Sequence, residues 1–314
     1  DGANDGAEVS AGKDPLDPSV FPNRPPLDLN STAVLAFSEN QPVGTIIGEF
    51  NATDPDTITY SLVPFSPVHL SPALWLDASD EATLVKESGF LTSWLDKSGN
   101  DRDGISTGSL RPSISSGYNG NSMINLDGVD DVVSINGSFA LNTFFVVLNS
   151  GISSEKFSDW AWVLGARGPV KTPQMVPALY GRLGDSSLTA ELPFQGNLQS
   201  VISINGDDTL SQGTKDFGNF SEFKLISVSS SQTSSNLSNW KISSGEFPWK
   251  GNIAEVVVFD RPLENHQRYS IEEYLSSKWG LSSKMYRPLV PSNSLFTLDT
   301  NGTLKTATTF DYES

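Results

Sequence analysis

The sequence predicts an all-β protein with a single helix, on three observations. Short runs of β-branched, aromatic and aliphatic residues recur along the chain, separated by Gly, Asn, Asp and Ser, as the strands and turns of an antiparallel sandwich require. Within several runs apolar and polar residues alternate, so that one face meets a core and the other meets water. Only after Pro262 does the apolar spacing shift to the helical period.

Taken in chain order, residues 1–22 show almost no apolar periodicity, and Pro15, Pro18 and Pro22 make them a stiff linker. Phe50 and Ala52, then Ile58, Tyr60 and Leu62, alternate with polar residues and predict strands at 46–50 and 58–62. Between 66 and 290 strands are predicted at 123–126, 132–135, 143–148, 161–164, 201–204, 223–228, 240–242 and 253–259. Ile271, Tyr274, Leu275 and Trp279 then recur at helical spacing, and Gly280-Leu281 is a Schellman stop whose Leu packs back on the helix. Phe296 and Leu298 resume the strand alternation, and Asp299-Thr300-Asn301-Gly302 is a turn in which Gly302 is free to take positive φ.

Composition narrows the function. The chain has 314 residues, 37% hydrophobic and 10% aromatic, enough for two or more domains with buried cores. Its 20 basic and 37 acidic side chains give a net charge of −17. No basic cluster offsets that charge, which excludes nucleic-acid binding by phosphate neutralisation. Cysteine is absent, so disulfides, thiolate zinc sites and cysteine nucleophiles are excluded together. His69 and His266 are the only histidines and neither lies near a nucleophile motif. No apolar run is long enough to span a membrane as a helix. No secretory leader opens the chain, so the expectation is a mature or excised fragment.

The two ends resemble parts of one bacterial cadherin-like repeat. The first part is Glu39-Asn40-Gln41-Pro42-Val43-Gly44-Thr45, followed by the Ala52-Thr53-Asp54-Pro55-Asp56 turn and Tyr60-Ser61-Leu62. The second is Phe296-Thr297-Leu298-Asp299-Thr300-Asn301-Gly302-Thr303-Leu304, running on to Asp311-Tyr312-Glu313. That resemblance implies a Greek-key β-sandwich assembled from residues 23–65 and 291–314, incomplete in its last strands. It also implies calcium ligands at Glu39, Asp54, Asp56, Asp311 and Glu313, with Asn23 in the inter-repeat linker, and neighbouring repeats as partners. Asp1-Gly2-Ala3-Asn4-Asp5-Gly6-Ala7-Glu8 resembles the second half of a thrombospondin type 3 calcium loop, implying oxygen ligands at Asp1, Asp5 and Glu8.

Residues 66–290 resemble the bacterial laminin G-like domains of the concanavalin A-like lectin/glucanase fold. The matching motifs are Ala73-Leu74-Trp75-Leu76-Asp77-Ala78-Ser79-Asp80, Trp94-Leu95-Asp96-Lys97-Ser98-Gly99-Asn100, Leu126-Asp127-Gly128-Val129-Asp130-Asp131 and Ile253-Ala254-Glu255-Val256-Val257-Val258-Phe259-Asp260-Arg261-Pro262-Leu263. Ile271-Glu272-Glu273-Tyr274-Leu275-Ser276-Ser277-Lys278-Trp279-Gly280-Leu281 is similar to the ending of that group. The resemblance implies a jelly-roll sandwich with one C-terminal helix, inserted into the cadherin-like repeat. An insertion of that kind survives when its two ends lie close together.

Chemistry is expected in three places. Asp96, Asn100, Asp101, Asp127, Asp130 and Asp131 are turn-located oxygen donors that could converge on a calcium ion, or serve only as turn residues. Glu255 and Asp260 stand where a glycoside hydrolase of this fold carries its acids, but Val257 takes the middle position and an odd spacing directs the two acids to opposite faces. Trp160 and Trp249 are candidates for stacking on a carbohydrate, whereas Trp75, Trp162 and Trp279 are expected in the core. The combined expectation is a non-enzymatic adhesion module, secreted or on a bacterial cell surface, that binds a glycan or cell-surface ligand on a calcium-stabilised stalk. The alternatives are a structural spacer and a polysaccharide-degrading enzyme.

Overall fold

A computed structural model describes residues 12, 26–31, 35–54, 57–152, 156–157, 159–167, 175–190, 200–208, 214–230, 233–234, 236–287 and 295–310. The chain divides into two compact units, Asp1–Pro64 with Val290–Ser314, and Phe65–Leu289.

In the first unit, strands from the two ends of the chain share one antiparallel sheet in the order Leu27–Ser31, Ile46–Thr53, Thr303–Thr306, Phe296–Leu298. The turn before Thr303 is closed by the Gly302 amide donating to the Asp299 carbonyl at 2.9 Å. Gly302 has φ 94°, and an added Cβ would lie 2.4 Å from the Phe50 carbonyl oxygen, so the close approach of the turn to the neighbouring strand requires glycine. Phe37, Phe296 and Phe310 form an aromatic cluster with centroid separations of 4.8 to 6.3 Å. Among the described residues of this unit Ile47 is the one buried hydrophobic side chain.

The strand predicted at 58–62 does not form. Ile58 and Tyr60 are half-buried while Thr57, Thr59 and Ser61 are exposed, so the alternation itself is present. The recorded backbone tie is a single bond from the Tyr60 amide to Thr300 at 3.2 Å, made to a turn rather than to a strand that could continue a ladder.

The second unit is an antiparallel β-sandwich in which fourteen of sixteen strands form one hydrogen-bonded path, Leu74–Asp77 and Leu84–Glu87 pairing beside it. One layer runs Ser200–Ile204, Lys224–Ser230, Thr143–Leu148, Lys250–Phe259. The far edge of Lys250–Phe259 is shared by Asn121–Asp127 and Leu74–Asp77. Ser113–Tyr118 and Phe90–Trp94 then carry the path through Gly104–Ile105 into the other layer. That layer runs Val133–Phe139, Leu237–Ile242, Ala161–Arg167, Met175–Gly181, Ser187–Ala190, Thr214–Asp216.

Side chains from both layers meet in one core, among them Leu74, Phe144, Val146, Val256 and Val258 from the first and Val133, Val163, Leu179 and Trp240 from the second, with Trp94 from the connecting strand. The opposite face of the first layer is also buried. Phe145, Val147, Val257 and Phe259 point there and pack against Ile271, Leu275, Trp279 and Leu281 of the helix α1 (Asn265–Lys278) and its exit. Burial on both faces explains why 143–148 and 253–259 are near-continuous apolar runs rather than alternating ones.

Helix α1 begins where the Glu264 amide donates to the Gln267 side chain at 3.2 Å. It ends at Gly280 with φ 63°, where the Leu281 amide reaches the Ser276 carbonyl at 2.7 Å and the Gly280 amide reaches Ser277 at 3.3 Å. Those two bonds are the Schellman pair, and Leu281 is fully buried beneath the helix. No helix among the described residues is long and apolar enough to cross a membrane.

Candidate functional site

The turn after strand Asn121–Asp127 brings Asp127, Asp130 and Asp131 together, one oxygen of each lying within 4.8 Å of the others. Gly128 makes the turn possible: its φ is 78°, and a Cβ there would meet the Lys250 side chain at 2.6 Å. The Asp127 Oδ1 accepts from the Val129 amide at 2.7 Å, while the Asp131 Oδ2 accepts from the Asp127 amide at 2.8 Å. Asp131 is buried and Asp127 exposed, so the group opens from the sandwich toward solvent. Burial, only partly offset by the Asp127 amide, and the neighbouring Asp127 and Asp130 carboxylates push the Asp131 carboxyl up to about 6. Three hard oxygens at this spacing fit a divalent cation whose ligand distances are about 2.3–2.6 Å, and would supply three of the six to eight oxygens calcium takes.

Asp96 and Asn100 do not join that group. Asp96 is saturated by its own loop and a neighbouring strand: Oδ1 accepts from the Trp75 amide at 2.9 Å and the Ser98 amide at 2.9 Å. Oδ2 accepts from the Ser98 hydroxyl at 2.6 Å and the Arg102 amide at 3.1 Å. The Asn100 amide donates to the Pro72 carbonyl at 3.1 Å and to Ser98 at 2.9 Å. Both residues therefore staple the 96–102 loop to the entry of strand Leu74–Asp77. With Ser71, Arg102 and Asp260, Asn100 and Ser98 also line a polar cleft of about 260 Å³.

Trp249 is a correction to the sequence reading. It is fully buried, wedged against Phe157 at 5.8 Å and Phe217 at 6.2 Å, with its indole N–H donated to the Asn149 carbonyl at 3.2 Å. Its flanking Pro and Gly suggested an open loop, but the loop folds inward over the core, and no ring face is left for a ligand. Trp160, by contrast, is 37% exposed. Its ring lies 5.3 Å from Tyr180, which is the register partner of Trp162, and Trp162 in turn stacks on Phe247 at 5.6 Å. Trp162 and Tyr180 belong to neither hydrophobic core, so these four rings form a strip on the outward face of the second layer.

Trp75 and Trp279 lie in the core, and together they hold a feature that sequence reasoning missed. Strand register sets Glu255 directly opposite Asp77. Glu255 is fully buried and accepts from the Trp75 indole at 2.7 Å, the Trp279 indole at 2.7 Å and Lys278 Nζ at 2.8 Å. Lys278 Nζ also lies 2.6 Å from Asp77 Oδ1 and 3.1 Å from the Tyr274 hydroxyl. Lys97 closes the group, 3.0 Å from Asp77 Oδ2 and 2.8 Å from Asp80. Burial, reinforced by Asp77, pushes the Glu255 carboxyl up. Burial acts on Asp77 in the same sense, but Lys278, Ser79 and Lys97 outweigh it and hold that carboxyl below its ordinary value. The available signal was an acid placed inside an apolar strand run, at Leu74-Trp75-Leu76-Asp77 and again at Ala254-Glu255-Val256, because a buried charge demands a partner.

Of the cadherin-like positions, Glu39 is exposed and Asp54 half-buried in the first unit. Asp1, Asp5, Glu8, Asn23, Asp56, Asp311 and Glu313 lie outside the described residues. Comparison with protein-family models, curated proteins and solved structures finds no match.

Proposed function

We propose that the chain is an extracellular adhesion module of a bacterial surface or secreted protein, in which the Phe65–Leu289 sandwich binds a glycan and the flanking unit belongs to a calcium-stabilised stalk of neighbouring repeats. The observation that carries the glycan reading is the aromatic strip of Trp160, Tyr180, Trp162 and Phe247, whose outermost ring is accessible on a sheet face that serves neither core. Aromatic faces beside hydroxyl and amide groups bind the apolar side of a sugar ring while the polar groups take its hydroxyls. Calcium is supported by the three-aspartate turn of the sandwich. A binding role is favoured over hydrolysis because Glu255, the acid in the strand where a hydrolase would carry its pair, is sealed beneath helix α1 by two indoles and a lysine.

The test is a glycan array probed with the full chain in calcium and in chelator, repeated with Trp160→Ala. The proposal expects a defined set of glycans whose signal falls at least tenfold in the variant. An array without signal in either buffer supports a spacer instead, and release of reducing ends from a bound polysaccharide would establish an enzyme.

A further inference from the structure

The buried contact between Lys278, Asp77 and Glu255 has the composition and geometry of a self-condensing site. We propose that the Lys278 amine and the Asp77 carboxyl join in an intramolecular amide, with Glu255 carrying the proton between them. Three observations support it. Lys278 Nζ rests 2.6 Å from Asp77 Oδ1, which brings it close to the distance at which a nucleophile attacks the carbon of that carboxyl. Asp77 is only 2% exposed and Lys278, 18% exposed, lies against the Tyr274 and Trp279 rings, so water has little access to the carboxyl under attack or to the product. Glu255 accepts from the same nitrogen at 2.8 Å and is the register partner of Asp77, so the Lys278 amine bridges the two carboxyls.

The step balances without any other reactant. An ammonium and a carboxylate become one amide and one water. Glu255 first takes a proton from Lys278, leaving a neutral amine, and passes it to an Asp77 oxygen as the nitrogen lone pair attacks Asp77 Cγ and the C–N bond forms. Glu255 takes the second proton from nitrogen and returns it to the departing hydroxyl, the C–O bond breaks, and water leaves. Nothing is oxidised or reduced. Lys97, 3.0 Å from Asp77 Oδ2, faces the oxygen that bears negative charge in the tetrahedral intermediate. The upward push of burial on Glu255 suits it to hold the transferred proton. The bond would tie the first strand of the layer beneath helix α1, Leu74–Asp77, to the last turn of α1, enclosing nearly the whole sandwich in one covalent loop.

Intact-mass spectrometry of the purified full chain decides the matter. The expected mass is one water below that of the sequence, and a tryptic digest should yield a branched peptide joining the Asp77 segment to an uncleaved Lys278. Lys278→Met should restore the unshifted mass, and Glu255→Gln, with its strand signal retained by circular dichroism, should slow or abolish closure. A folded wild-type chain at the full sequence mass overturns the proposal, as does a branch through Lys97. A Glu255→Gln chain that closes as fast as the wild type overturns the role given to Glu255. If that variant fails to fold, the wild-type mass and the Lys278→Met comparison still decide whether the bond exists.

Discussion

Asp131 binds a proton more tightly in the folded chain than its ordinary value of 3.8 allows, because it is buried beside Asp127 and Asp130. A raised folded-state value means that its contribution to stability is present below about pH 4 and is lost as pH climbs through about 6. In chelator, the urea midpoint should therefore decline over that interval, and Asp131→Asn should flatten this part of the profile; an unchanged profile in the variant would assign the decline to other groups. Two tryptophans that the sequence treated alike separate by the same kind of test. Trp249→Ala should cost roughly 3–5 kcal/mol in chemical denaturation, whereas Trp160→Ala should change stability by less than about 1 kcal/mol. What the local sequence offered for Trp249 was a Pro248 and Gly251 frame, and the rings that bury it, Phe157 and Phe217, come from distant segments. Asp96 was left open between ligand and turn residue for a related reason: a turn acid with three hydrogen bonds from its own loop and one from Trp75 has the same neighbours in sequence as a metal ligand.

Strands with strong apolar runs were legible as elements. Thr143–Leu148 stands where its six consecutive buried side chains predict, and Lys250–Phe259 extends the predicted 253–259 by one turn-proximal segment. Polar strands were not legible. Ser113–Tyr118 reads SISSGY and Thr214–Asp216 reads TKD, sequences whose strand character comes from a neighbour's hydrogen bonds and not from their own side chains. The stop of helix α1 was legible because only glycine takes φ 63° cheaply in the position that Leu281 then seals. Gly280→Ala should lower stability by about 1 kcal/mol, with the added methyl also pressing on Asn119. Within the same helix Glu272 is fully buried, paired with Arg268 at 3.7 Å and bonded to Arg287 and to the Ser227 hydroxyl at 3.1 Å. Removing it takes the carboxylate from Arg287 while Arg268 keeps Asp208 at 2.7 Å, so Glu272→Ala should cost on the order of 3 kcal/mol, measured as a lowered denaturation midpoint with intact strand signal.

For the whole molecule, the strand sets at the two ends of the chain share one sheet, while the segment between them forms a separate compact unit. The all-β class with one helix was legible because periodicity is a local property. The charged group beneath helix α1 was not, since its members stand far apart in sequence and meet only through register. The two units differ in core: the described part of the first has Ile47 and an aromatic cluster, the second two extensive hydrophobic cores. Calorimetry of the full chain should accordingly show two transitions, the smaller one lost first, and a single transition would mean that the units unfold together. Calcium at a hundredfold excess over its dissociation constant should raise stability by roughly 2.7 kcal/mol per site. Asp127→Ala should remove the shift from the larger transition and Asp54→Ala from the smaller, and melting curves that ignore calcium would identify these acids as turn residues alone.

Pairing of strands far apart in sequence also governs when each unit can close. Leu74–Asp77 awaits residues 255–258, and Ile46–Thr53 awaits Thr303–Thr306. Each closure joins the ends of a very long loop. Closure of each unit is therefore slow, and Leu74 and Leu76 stay uncovered until residues 255–258 have been made. A nascent chain of this kind remains threadable until the strand that closes the sandwich has emerged.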